Sequence, residues 1–254
     1  MSPLEAVLIA LAGLAAGTIN TVVGSGTLIT FPTLLAFGVP PVTANVSNNI
    51  GLVPGSVAGA IGYRDELEGQ RSRVVRLLSA SLIGGVVGAV LLLVLPDGAF
   101  ETVVPVLIML GVVLVVLQPR LAAWVRRRAD DRGVDRSTDA WWTWPAVLLT
   151  GVYGGYFGAA QGVLLMAVLG IGVAQSLQRS NAVKNVLAAA VNGVAGVIFV
   201  VVADVDWTVV ALIGAGAVVG GLLGARVGKA LPPIALRATI VVVGLTAFTM
   251  ILVG

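Results

Sequence analysis

Long apolar runs alternate with short polar connectors along the chain. The runs occupy residues 4–22, 42–62, 74–95, 99–118, 142–158, 180–202, 207–225 and 235–252. Each approaches the roughly 17 to 25 residues that a helix needs to cross a bilayer, so each predicts a membrane helix. Two further runs, 27–38 and 162–173, are too short to cross comfortably, and each lies between Gly-rich breaks. No Lys or Arg precedes the first run, which therefore reads as a mature helix rather than a secretory signal.

The connectors give an orientation. Residues 63–76, 119–140 and 226–237 carry 13 of the 15 Lys and Arg residues, and basic connectors face the cytoplasm. The intervening turns, 96–101 and 203–206, hold Asp and Glu but no base, which places them outside. Passing from residue 140 inside to residue 203 outside requires an odd number of crossings. Counting 27–38 and 162–173 as passages meets that requirement, with five segments per half, the halves inserted in opposite senses and both termini outside. The competing arrangement has eight helices with re-entrant short pieces; it would put Asp204 inside and the basic 226–237 turn outside.

Composition agrees with lipid as the main solvent. Of the 254 residues, 58% are hydrophobic and 11% charged, against roughly 45–50% and 25% in an average soluble domain. A soluble fold of this length lacks the polar surface it would need. There is no Cys and no His, which removes disulfides, thiol chemistry, the usual zinc and haem ligands and a histidine proton switch. No cofactor or metal site is expected, and the net charge of +3 lies in connectors, which speaks for topology rather than nucleic-acid binding.

The two halves resemble each other. Gly17, Gly24 and Gly38 correspond to Gly151, Gly158 and Gly172 at an offset of 134. At an offset of 136, Asn45-Val46-Ser47-Asn48-Asn49 overlays Asn181-Ala182-Val183-Lys184-Asn185, and Ser56 overlays Asn192. Both copies share Asn-x-x-x-Asn, two carboxamides on one helical face. The plain alternative is helix capping or interhelical hydrogen bonding. That alternative weighs most for Asn45 and Asn181, nearest the segment starts; Asn49 and Asn185 lie a turn deeper and point to a shared cavity. The chain therefore reads as 1–118 (first transmembrane repeat), 119–140 (Arg-rich cytoplasmic connector) and 141–254 (second transmembrane repeat).

Lys184 stands alone as a base well inside an apolar run, with Arg179 five residues before it. A charge at bilayer depth costs at least ~2.5 kcal/mol on insertion scales and marks a functional site, unless it snorkels from a helix end. Interrupted helices add to this, because the half-helices that follow each break present N–H groups and partial positive charge to an anion. Glycines in Gly24-Ser25-Gly26 and in Gly158-Ala159-Ala160-Gln161-Gly162 suit close approach of backbone to ligand. The candidate binding residues are Asn45, Ser47, Asn48, Asn49, Asn181, Lys184, Asn185, Ser25, Gly26, Gln161 and Arg179; no catalytic or metal-ligating residue is assigned. Tyr63, Tyr153, Tyr156, Trp141, Trp142, Trp144 and Trp207 are expected at membrane interfaces, with Tyr153 and Tyr156 as alternative cavity-lining residues.

Gly17–Pro32 (GTINTVVGSGTLITFP), Val39–Ser56 and the second copy from Gly151 through Asn192 together resemble the TauE/SafE family, the sulfite exporters. The resemblance implies transport of a small anion, sulfite, a sulfonate or another sulfur-containing acid, out across the bacterial inner membrane. The combined expectation is an all-α polytopic membrane protein of two inverted-topology repeats whose short broken helices meet near mid-membrane. It is a secondary transporter working by alternating access, with the lipid bilayer and a small anionic substrate as partners and a second copy of the chain left open. An anion channel, or a membrane scaffold without transport, is the alternative. An enzyme is not expected: Asp130, Asp131, Asp135 and Asp139 are interleaved with Arg in a connector, and no nucleophile and base pair is buried.

Overall fold

The computed structural model describes residues 1–130, 139–173, 175–227, 241, 242 and 245, and the described residues are helical with no strand. In chain order the helices are α1 (Pro3–Val22), α2 (Thr27–Ala36), α3 (Pro41–Gly62), α4 (Arg71–Val94), α5 (Asp97–Asp130), α6 (Thr143–Tyr156), α7 (Gln161–Gly172), α8 (Leu177–Val202) and α9 (Trp207–Val227), with a 3-10 turn at Arg64–Leu67. Among them α1, α4, α8, the Gly98–Arg120 part of α5 and the Trp207–Arg226 part of α9 are long and apolar enough to cross a membrane. Nearly all of the predicted 235–252 stretch lies outside the described residues, as do Arg132, Arg136, Lys229 and Arg237.

Local chemistry accounts for the ends. Ser2 caps α1, accepting from the Glu5 N–H at 3.2 Å while Glu5 reaches back to the Ser2 N–H at 2.9 Å, a reciprocal capping box. Ser176 caps α8 through the Arg179 N–H. Val86, Val87, Val90 and Val94 on α4, and Val197, Val200 and Val201 on α8, are exposed, as side chains that face lipid are.

Small residues let the long helices touch backbone to backbone. A Cβ placed on Gly17 would lie 2.3 Å from the Ala217 carbonyl oxygen, and one on Gly220 would lie 2.1 Å from that of Leu14. Thus α1 and α9 run side by side in the same direction, joined further by the Thr18 hydroxyl donating to the Gly220 carbonyl at 3.1 Å. A matching seam joins α6 to α4, where Gly151 meets Ser81 and Gly88 meets Val152. Gly17 with Ala217 and Gly151 with Ser81 are related by the same offsets of 134 and 136 that relate the two halves of the sequence. The first helix of each half therefore packs on the fourth helix of the other. In the middle, α3 packs on α8.

The short segments form hairpins with their preceding helices. The Ala140 N–H donates to the Gly172 carbonyl at 2.8 Å, and Gly172 sits against Thr143 and Trp142, so α7 ends where α6 begins. With 14 and 12 residues, these helices are roughly 21 and 18 Å long at 1.5 Å per residue, short of the about 30 Å hydrocarbon. The two helices thus pair side by side as a short helical hairpin.

Connector 119–140 differs from the expected loop: α5 carries on as helix through Pro119 to Asp130. At the same end of the molecule the Arg73 guanidinium contacts the Asp139 carboxylate at 2.8 Å, Arg76 contacts it at 2.5 Å, and Arg73 donates to Gln175 at 3.1 Å. One basic face thus gathers the start of α4, the start of α6 and the start of α8.

Candidate functional site

The break after α1 meets the break after α6 in the interior. Gly24 has a φ of +91° and Gly158 of +73°, the left-handed region that glycine adopts freely. The Gly162 N–H donates to the Gly24 carbonyl at 3.0 Å, and a Cβ on Gly24 would lie 2.3 Å from the Gly162 Cα. Only glycines permit the two turns to cross this closely.

Each break leaves carbonyl oxygens at a helix C-terminus without helical partners. The duplicated asparagines supply the missing donors, across the repeats. Asn45 Nδ2 on α3 donates to the Tyr156 carbonyl at the end of α6 at 2.9 Å, and Asn181 Nδ2 on α8 donates to the Thr21 carbonyl at the end of α1 at 3.1 Å. These residues do cap helices, but they cap the other half's first helix at its C-terminus rather than their own helix at its start.

Lys184 completes the end of α1. Its ammonium donates to the carbonyls of Asn20 at 2.8 Å and Thr21 at 3.1 Å, and the side chain is 1% exposed. A cation there also meets the negative end of the α1 dipole, so this helix end is the counter-charge that the apolar run itself does not offer. An ammonium has three donors, and two are accounted for.

The same group lines a small, partly open cavity, walled by Asn20, Thr21, Gly24 and Thr27 at the first break, Gly158, Gln161 and Gly162 at the second, and Ser56, Lys184, Asn185, Ala188 and Asn192 from α3 and α8. Gln161 is 3% exposed and its Nε2 has no hydrogen-bond partner among the described residues. Asn49 Nδ2 reaches the Asn192 Oδ1 at 3.5 Å, tying α3 to α8 beside the cavity. Ser56 lies six residues before the end of α3 and Lys184 seven after the start of α8, which places the cavity nearer the basic face. Toward the start of α5, the aromatic rings of Phe31, Phe100, Phe157 and Tyr156 meet edge to face, with Phe31 and Phe157 centroids 5.1 Å apart.

Lys184, Asn185 and Gln161 are thus the predicted residues brought together in the cavity. The others are placed around it or away from it. Asn48 bonds the Thr27 and Thr30 hydroxyls, fixing α2. Ser25 is fully buried within the break, its Oγ without a hydrogen-bond partner among the described residues. The Gly26 N–H is taken by Asn20 Oδ1 at 2.7 Å, and the Gln161 N–H by the Gly158 carbonyl at 3.3 Å, so those half-helix N–H groups serve the protein rather than a ligand. Ser47 accepts from the Asp206 N–H at the start of α9. Arg179 donates to the Glu68 carbonyl at 2.7 Å, outside the cavity. Tyr63 is buried beside Asn181 rather than set in an interfacial belt, and neither Tyr153 nor Tyr156 is among the lining residues. Asn20 and Thr21 are lining residues that the sequence reading missed; their signal is a polar pair near the end of an apolar run, separated by two valines from a Gly break.

Residues 9–251 match the family model described as sulfite exporter TauE/SafE. This chain belongs to the TauE/SafE family. Three curated relatives carry the same general description, probable membrane transporter protein. One, ORF9 of Sinorhizobium sp., is 28% identical over 85% of this chain and 80% of its own length. YfcA of Escherichia coli K12 is 25% identical over 91% and 82% respectively. A Haemophilus influenzae protein is 22% identical over 84% and 81%. No solved structure matches the chain. The TauE/SafE family is one of membrane transporters, and the paired breaks, the exchanged seams and the buried polar cavity are this member's multi-pass helical scaffold.

Proposed function

We propose that this chain is a secondary transporter that exports a small sulfur-containing anion, sulfite- or sulfonate-like, across the bacterial inner membrane by alternating access. The reading takes 1–118 and 141–254 as inverted-topology repeats joined by a cytoplasmic connector, 119–140, and assigns no catalysis. The observation that carries it is Lys184: a buried ammonium with two donors on the end of α1 and a third left for the cavity it lines. The unpartnered Gln161 Nε2 adds a second donor to the same space. A cavity with surplus donors and a cation suits a ligand made of acceptor atoms and negative charge.

The cavity's place near the basic face and the aromatic cluster toward the opposite end favour an inward-facing arrangement that loads from the cytoplasm. The exchanged packing, in which each half's first helix rides on the other's fourth, supports rocking of one half against the other. With the inside negative, each exported negative charge gains roughly 2.3 kcal/mol per 100 mV.

Two substitutions at Lys184 test the reading. Lys184→Gln keeps a donor for the α1 carbonyls but removes the charge; the purified variant is expected to fold and to lose tenfold or more in sulfite affinity, about 1.4 kcal/mol. Lys184→Ala also strips the carbonyls of their partner, costing a further ~1–3 kcal/mol of stability. Counterflow of labelled sulfite in proteoliposomes, present in the parent and absent in Lys184→Gln, separates a carrier from a channel. Unchanged affinity and flux in Lys184→Gln would remove the lysine from the site.

A further inference from the structure

We infer that the cavity accepts its anion only in a singly charged form and rejects doubly charged oxyanions. This rests on the transport reading above and narrows its substrate class. Lys184 is the one charged side chain among the lining residues; the rest are Asn20, Thr21, Thr27, Ser56, Gln161, Asn185, Asn192, Ala188 and glycines. Its charge is already shared with the negative end of α1 through the Asn20 and Thr21 carbonyls.

No second charge approaches from the surrounding elements among the described residues. Arg179 is held on the Glu68 carbonyl, and Arg73 and Arg76 are paired with Asp139 at the basic face. Tyr63 lies against Asn181, and Tyr153 against the Ala160 backbone. A monoanion in the cavity would make one neutral pair with Lys184. A dianion would bring a second negative charge out of water with no cation to meet it, and uncompensated charge in a low-dielectric site is what burial penalises most. The neutral donors, Gln161 Nε2 first, satisfy the oxygens of a monoanion without adding charge.

Charge state and ligand identity are separated by comparing methanesulfonate, always a monoanion, sulfate, always a dianion at neutral pH, and sulfite, which changes from one to the other. Binding of each is measured calorimetrically on the purified full-length protein below and above the second ionisation of sulfite. Methanesulfonate is expected to bind at both pH values and sulfate at neither. The sulfite-to-methanesulfonate affinity ratio should fall about tenfold for each pH unit above that ionisation; taking the ratio cancels any titration of the protein itself. Gln161→Lys adds a second cation in the same space and should raise sulfate affinity at least tenfold relative to methanesulfonate. Sulfate binding as well as methanesulfonate to the parent, or a sulfite ratio that stays level or rises with pH, would overturn the charge rule while leaving an anion transporter standing. Failure of all three anions to bind, with no counterflow, sinks the transport reading itself.

Discussion

At the scale of single residues, the decisive groups hold helix ends that belong to the other half of the chain. Asn45 and Asn181 each satisfy a carbonyl at a broken helix C-terminus. Asn45→Ala and Asn181→Ala should each lower stability by about 1–3 kcal/mol, the cost of leaving a buried acceptor unmatched, seen as a lower melting temperature of the detergent-solubilised protein. Gly24→Ala is expected to cost more than either, since it faces both an unfavourable φ of +91° and the Gly162 backbone. The sequence makes the asparagines visible because they recur in both halves. It leaves their partners hidden: Tyr156 is 111 residues from Asn45, and Thr21 is 160 from Asn181. Periodicity reports which face a residue occupies, not which distant helix end meets it. Arg179 misled for a related reason, since proximity in sequence to Lys184 put it in the same helix but one turn too near the connector.

At the scale of elements, small-residue seams set how closely the helices approach. Gly220→Val on the α1–α9 seam forces a side chain against the Leu14 carbonyl and should cost at least ~1–3 kcal/mol through overpacking, with Gly88→Val giving the same outcome on α4–α6. Gly193, by contrast, has open space around its would-be Cβ, and Gly193→Ala should hold stability level or raise it by up to ~1 kcal/mol through helix propensity. Thermal unfolding of the three variants side by side checks the contrast. The apolar runs located the helices well, as in 42–62 for α3 (Pro41–Gly62) and 180–202 for α8 (Leu177–Val202). They failed at the end of α5, because hydropathy marks where a helix leaves lipid and not where its backbone hydrogen bonds stop. The α6–α7 pairing was also out of reach, since run length alone does not say which neighbour a helix folds against.

At the scale of the whole molecule, the basic face and the acidic turns define two sides. The chain has no cysteine of its own, so single cysteines report topology cleanly. A membrane-impermeant maleimide added outside intact cells should label Gly98→Cys and Asp204→Cys, and should reach Arg71→Cys and Ser176→Cys only after the membrane is opened. The opposite pattern would reverse the orientation and place the cavity mouth outside. The near-correspondence of the halves has one conspicuous exception in that cavity: where the second half carries Lys184, the first carries the neutral Asn48, occupied with Thr27 and Thr30. A carrier with matched halves would spend equal effort turning either way. On the proposed alternating-access reading a fixed cation would ride on one half alone, so each turn would displace charge through the electric field, and the resting voltage would make the machine a rectifier rather than a revolving door.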